Sequence, residues 1–286
     1  MRELQLFAVT EAGVRPLPLL EKASSFEELY DGLALGVYSA LRTYDHNKFL
    51  CLAAHLARTE RSMALLGWDF RLDRRRLRQA LHQVCTAFPW PEARVRFDVL
   101  AEPAYRLGTD SRVLIALMPF RPIPERLYEE GVKVGFAADL ARHRPLAKTA
   151  DFALKRRAYP MGTAEAYEHL LLDKEGYILE GTGTNFYGVR TGVLRTAGAG
   201  VLEGIARKII LKLAAELDIP VSLEAVHVGE IPYLDEAAIS GSSRALLPVV
   251  AIAGQTVGDG RPGPICRRLL AAYNDFVARE IKMAVS

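Results

Sequence analysis

The stretch Leu172-Asp-Lys-Glu-Gly-Tyr-Ile-Leu-Glu180-Gly-Thr-Gly-Thr-Asn-Phe186 decides how this chain is read. Asp-Lys-Glu-Gly between two apolar runs marks a hairpin. The second arm carries Glu180 into a Gly-Thr-Gly bend, where missing side chains let backbone approach a ligand closely. A carboxylate at the end of an apolar strand is costly to bury alone, so Glu180 needs a partner. Two partners are open at this point: a ligand, or a structural salt bridge.

Two segments further on have the same character. Gly204-Ile-Ala-Arg-Lys-Ile-Ile-Leu-Lys-Leu-Ala-Ala-Glu-Leu has an apolar face at 205, 209, 210, 213 and 217, so a helix starts just after Gly204. The N–H groups of its first turn form a seat for an anion, although a glycine there is also an ordinary cap. Ser240-Gly-Ser-Ser-Arg follows the apolar strand Glu236-Ala-Ala-Ile-Ser and offers hydroxyls and N–H groups to phosphate or carboxylate. A plain surface turn is the alternative there.

The rest of the chain alternates strands and helices. Strands are expected at 4–9, 36–44, 49–52, 94–101, 112–118, 167–172, 186–189, 221–228 and 237–240, and helices near 55–66, 73–87, 151–168 and 205–217. The strands at 94–101 and 112–118 flank a polar turn and pair as a hairpin. Pro119-Phe-Arg-Pro-Ile-Pro-Glu disfavours helix and central strand alike and reads as a linker. The expected organisation is therefore a smaller N-terminal α/β domain, 1–119, a linker, 120–127, and a larger C-terminal domain, 128–286.

Composition removes several function classes. The 37 basic and 34 acidic residues leave a net charge of +3, without a block of like charge suited to nucleic acid or an anionic membrane. The N-terminal residues lack a signal-like apolar run, so a cytoplasmic location is expected. Cys51, Cys85 and Cys266 are far apart and read as free, mostly buried thiols. The six histidines show no ligand spacing, and no metal is expected.

Together these segments resemble the fold-type IV, or class IV, aminotransferases, enzymes that use pyridoxal 5′-phosphate. The resemblance runs over most of the chain: Gly36-Val-Tyr-Ser-Ala-Leu-Arg, His55-Leu-Ala-Arg-Thr-Glu-Arg-Ser, Lys148-Thr-Ala-Asp-Phe, Glu180-Gly-Thr-Gly-Thr-Asn, Leu202-Glu-Gly-Ile-Ala-Arg, Asp235-Glu-Ala-Ala-Ile-Ser-Gly-Ser and Gly258-Asp-Gly-Arg-Pro-Gly-Pro. It implies a two-domain α/β fold with pyridoxal phosphate between the domains, and a homodimer. It implies Lys148 as the covalent carrier of the cofactor and the base that moves the substrate's proton, and Glu180 as the partner of the ring nitrogen. Arg58, Ile205, Ala206 and Ser242 correspond to the phosphate contacts, and Tyr38, Arg96 and Ser243 to the substrate pocket.

Lys155 rivals Lys148, but it sits in Lys155-Arg-Arg, a solvated helix face, and lies 180 − 155 = 25 residues before Glu180. Lys148 lies 180 − 148 = 32 before it, which is similar to the family's spacing.

The implied activity is amino transfer between an amino acid, apolar or branched-chain, and a 2-oxo acid. The alternatives are an aminodeoxychorismate lyase-type reaction, favoured by Arg244 after the serine pair, and a D-amino-acid aminotransferase. The chain departs from the family pattern at Ser39, where a glutamate is usual, at Phe152, at or beside a tyrosine of the branched-chain enzymes, and at Ala206, where many relatives have threonine.

Overall fold

The computed structural model describes residues 3–19, 25–26, 28–30, 33–163 and 165–283, which form two compact units. Unit 1 comprises Met1–Arg121, Ala147–Leu154 and Arg279–Ser286; unit 2 comprises Pro122–Leu146 and Lys155–Ala278. The first passage between units, at Arg121 and Pro122, falls in the proline-rich stretch. A division of the chain by one linker does not describe the rest, because the segment holding Lys148 and the last residues belong to unit 1.

Unit 1 is built on one sheet. Its strands are β1 (Gln5–Thr10), β2 (Gly13–Pro16), β3 (Val37–Tyr44), β4 (Lys48–Phe49), β5 (Ala93–Val99) and β6 (Val113–Pro119), in the order β2-β1-β6-β5-β3-β4, all antiparallel. Alternate residues point to opposite faces. Ile115 and Leu117 of β6 join Val95 and Phe97 of β5 in a core covered by Leu56, Leu77 and Leu81 from helices α1 (Leu52–Leu65) and α2 (Arg74–Thr86). Leu114 and Ala116 face the other way, into a second cluster with Leu6, Phe26 and Leu29. Asp73 starts α2 by accepting a hydrogen bond from the Arg76 N–H at 2.9 Å.

The return of residues 147–150 completes this unit. Val37 bridges Thr149, the Tyr38 N–H donates to the Lys148 carbonyl at 3.0 Å, and the Ala150 N–H donates to the Gly36 carbonyl at 2.8 Å.

Unit 2 begins with α3 (Arg126–Glu130) and β7 (Val132–Phe136). After α4 (Ala150–Lys155) come β8 (Glu168–Leu172), β9 (Tyr177–Gly181), β10 (Asn185–Arg190), β11 (Val193–Arg195), α5 (Ile205–Glu216), β12 (Val221–Ser222), β13 (Val226–His227), β14 (Glu236–Gly241), β15 (Ala245–Ile252), β16 (Gln255–Thr256) and α6 (Pro264–Met283). Among the described residues the strands form a ten-stranded sheet in which β7 runs parallel to both β8 and β15. The pairing of Asn185 with Glu180 joins β10 to β9 and closes β10, β14, β15, β7, β8 and β9 into a ring. Val134, Leu170, Ile178, Phe186, Ile239 and Leu247 fill its core.

Three local expectations need correction. The helix expected over 151–168 ends at Lys155 and continues only as a short 3-10 turn, Arg156–Ala158, because Pro160 cannot extend it and Glu168 pairs within β8. The strand expected over 221–228 is two short pieces, β12 and β13. Helix α6 was not anticipated, although Pro264 at its first position and buried Cys266, Leu269, Tyr273 and Phe276 at helical spacing mark it.

Candidate active site

In unit 1 the candidate residues converge on the buried face of α1. Spacings of three and four place His55, Arg58, Thr59 and Ser62 on that face, beside Leu56 and Met63. Arg58 is 4% exposed and donates from Nη2 to Ser39 Oγ at 2.9 Å. Ser39 Oγ also lies 3.3 Å from His55 Nδ1, so one hydroxyl links the two. Burial, then the charges of Arg58 and Lys148, push the His55 imidazole well below its ordinary pKa, and it is neutral at pH 7.

Lys148 is held between β3 and α1. Its N–H donates to Ser62 Oγ at 3.1 Å, its carbonyl accepts from Tyr38, and its Nζ stands 4.7 Å from the centre of the Tyr38 ring. Ser62 and His55 also take part in this arrangement; in the sequence they are the two ends of the motif His55-Leu-Ala-Arg-Thr-Glu-Arg-Ser, with no role of their own assigned.

Arg96 is also beside Tyr38, with its guanidinium carbon 4.2 Å from the ring centre, and it is paired with Asp98. Nε and Nη2 donate to the Asp98 carboxylate at 2.9 and 2.7 Å, and the two side chains are 3% and 0% exposed. The structure thus brings together Tyr38, Arg58, Arg96 and Lys148 from the expected set.

In unit 2 the same holds for Glu180 and the start of α5. The Glu180 side chain is 2% exposed and accepts from Arg142 Nε at 2.7 Å, from the Leu202 N–H at 3.1 Å and, at 3.4 Å, from Asn185 Nδ2. Asn185 Nδ2 also donates to the Leu202 carbonyl at 2.9 Å. The carboxylate is therefore tied to the loop that opens α5. Gly204 caps that helix without a side-chain bond to its first turn, and a Cβ there would collide with Asn185 Oδ1. Ile205 and Ala206 are its first two helical residues, both buried.

Arg142 is the partner that the sequence left unnamed. A contact across 38 residues has no local pattern. Ser242 and Ser243 lie in the turn between β14 and β15, where no protein group bonds to either hydroxyl among the described residues. Ser240 is committed to Tyr187, whose hydroxyl lies 2.9 Å away.

The donor set suits a phosphorylated pyridine. A buried carboxylate can accept from a protonated ring nitrogen. It is linked through Asn185 and Leu202 to a helix start that has no side-chain cap and whose N–H groups can take a phosphate.

A model of the class IV amino-transferases matches residues 36–252. The chain is 27% identical over 261 residues to a D-alanine aminotransferase of Bacillus licheniformis, covering 87% of this chain and 90% of that one. It is 27% identical over 261 residues to a branched-chain-amino-acid aminotransferase of Pseudomonas aeruginosa, covering 85% and 84%. In fold it is similar to a branched-chain aminotransferase of the thermophilic archaeon Thermoproteus uzoniensis solved with norvaline, with a TM-score of 0.75, 24% identity, and coverage of 96% and 95%. Among the described residues no helix is long and apolar enough to cross a membrane. The match spans the strand holding Tyr38, the lysine segment, the Glu180 bend and the start of α5, and on it the chain belongs to the class IV aminotransferase family.

Proposed function

We propose that this enzyme moves an amino group between an apolar, branched-chain-type amino acid and a 2-oxo acid, as a homodimer, with pyridoxal 5′-phosphate attached to Lys148. The observation that carries the reading is the Glu180 network: a buried carboxylate positioned by Arg142, Asn185 and the Leu202 N–H beside the start of α5. When bound, the cofactor supplies an electron sink for the substrate carbanion and a carrier for the amino group.

The chain's own residues then have separate tasks. Lys148 Nζ is the nucleophile and proton carrier. It needs a neutral amine for that role. Bonds to the Ser62 hydroxyl and from the Tyr38 N–H fix the lysine main chain. Arg58, held by Ser39, offers its fork to the phosphate, together with the N–H groups of Ile205 and Ala206 and the Ser242 hydroxyl. Glu180 accepts the ring-nitrogen proton. Tyr38 and Ser243 border the substrate, and Arg96 positions Tyr38 through their stacked contact.

Purified protein is expected to be yellow and to bleach with an apolar amino donor, and borohydride reduction followed by peptide mapping is expected to label Lys148. An unchanged spectrum across donors of both enantiomers, or label elsewhere, overturns the reading. Similarity to the D-alanine aminotransferase supports a second reading, amino transfer from D-amino acids, which bleaching by D-alanine alone would select.

A further inference from the structure

The motif Leu202-Glu-Gly-Ile-Ala-Arg ends in a residue to which the function above gives no task. Arg207 is the third residue of α5, after Ile205 and Ala206, and is 8% exposed. Its Nη2 donates to the Ala197 carbonyl at 2.9 Å, while its Nε, also buried, has no hydrogen-bond partner. Among the described residues no carboxylate forms an ion pair with it. The acids of the adjoining segments have other partners. Glu203 pairs with Lys208 at 3.0 Å, Glu180 pairs with Arg142 at 2.7 Å, and Glu236 accepts from the Ile265 and Cys266 N–H groups at 2.9 and 2.7 Å. A guanidinium stays charged inside a protein, and an interior charge without a counter-charge is costly.

Its place on the helix adds to that cost. The first turn of a helix carries roughly half a positive charge, which favours acids there and disfavours cations. The first turn of α5 holds no acid, has no side-chain cap and carries this arginine. The charge also acts inward, on β10: burial pushes the Tyr187 phenol up, and the Ser240 hydrogen bond and then the charge of Arg207 oppose that rise. Two positive groups thus share one turn of chain, and no carboxylate of the protein caps the first or pairs with the second.

Support of the Ala197 carbonyl does not explain the choice of residue. That carbonyl needs only a donor, which a neutral amide side chain also supplies. The feature that calls for an explanation is the charge.

We infer that Arg207 is a positioning residue for a phosphate at the start of α5, its buried charge raising the positive potential at the Ile205 and Ala206 N–H groups. This rests on the reading that those groups seat the cofactor phosphate. Attraction between charges several ångströms apart is weakened far less inside a protein than in water, so a guanidinium acts on the phosphate from behind the first turn. The contribution has particular weight in this chain, because Ala206 offers the phosphate an N–H and no hydroxyl.

Pyridoxal 5′-phosphate and pyridoxal share ring and aldehyde and differ in the phosphate, so the pair separates a charge effect from a general loss of structure. Fluorescence titration of the cofactor-free protein is expected to show Arg207→Met binding pyridoxal 5′-phosphate at least about tenfold more weakly than wild type, with its affinity for pyridoxal unchanged. Arg207→Gln, which keeps a donor for the Ala197 carbonyl, is expected to do the same should the methionine variant fail to fold. Arg207→Lys, which keeps the charge, is expected to restore most of the affinity. Inorganic phosphate is expected to raise the melting temperature of cofactor-free wild type more than that of Arg207→Gln. Equal losses for the two aldehydes, or a loss in Arg207→Lys as large as in Arg207→Gln, overturn the inference. Unchanged cofactor affinity in both neutral variants removes the role of Arg207 and leaves the amino-transfer reading. A phosphate effect that depends on Arg207, in a protein that takes up no pyridoxal 5′-phosphate, supports the role and removes that reading.

Discussion

Arg58 Nη2 and Ser39 Oγ are hydrogen-bonded at 2.9 Å, both inside the protein, where the family pattern has a glutamate in place of the serine. A neutral partner orients the guanidinium without cancelling its charge. Ser39→Ala is expected to cost about 1.5–3 kcal/mol, the range for a hydrogen bond to a charged group. Denaturant unfolding of the cofactor-free protein reads that cost, and fluorescence titration of pyridoxal phosphate is expected to show weaker binding alongside it.

Asp98 neutralises Arg96 at a site where both are almost wholly buried. Asp98→Ala leaves an uncompensated cation beside Tyr38, and the expected loss is about 3–5 kcal/mol. The double variant Arg96→Met, Asp98→Leu removes both charges and is expected to recover most of it. A double variant no more stable than Asp98→Ala would show that the pair is held for something other than charge balance.

Gly204 stands where a Cβ would displace Asn185 Oδ1. Gly204→Ala is expected to destabilise by about 1–3 kcal/mol, as overpacking does. Because Asn185 touches both Glu180 and the Leu202 carbonyl, the cofactor content of the purified variant is expected to fall more steeply than its melting temperature.

Glu230 gives a pH signature. Its hydrogen bond from Arg195, opposed in part by burial and reinforced by the His227 N–H and the charges of Arg195 and Arg190, lowers its pKa from 4.5 to about 2. A depressed carboxylate stabilises the fold above the unfolded value and loses that contribution as pH falls through the folded one. The difference in melting temperature between wild type and Glu230→Gln is therefore expected to be full above pH 4.5 and to vanish toward pH 2.

Features written in local pattern were legible in the chain before any coordinates. The apolar spacing of α5 and the glycine before it located that helix, and the Asp-Lys-Glu-Gly turn located the hairpin that ends at Glu180. What depends on distant partners was not legible. Arg142 on Glu180, Asp98 on Arg96 and Ser62 under Lys148 follow from how strands and helices meet, and nothing in the residues nearby indicates it. The overlong helix at 151–168 has a local cause: helix-forming residues continue past Lys155, while the paired strand β8 claims Glu168.

The return of Ala147–Leu154 to unit 1 bears on how the molecule is made. On a ribosome the residues up to Arg121 emerge with the Gly36–Tyr38 backbone paired to β5 on one edge and open on the other, and the partners of that second edge arrive only when Lys148, Thr149 and Ala150 leave the exit tunnel. The N-terminal unit can therefore close only on a chain long enough to include Lys148, so no nascent chain finishes that unit with the lysine still unplaced.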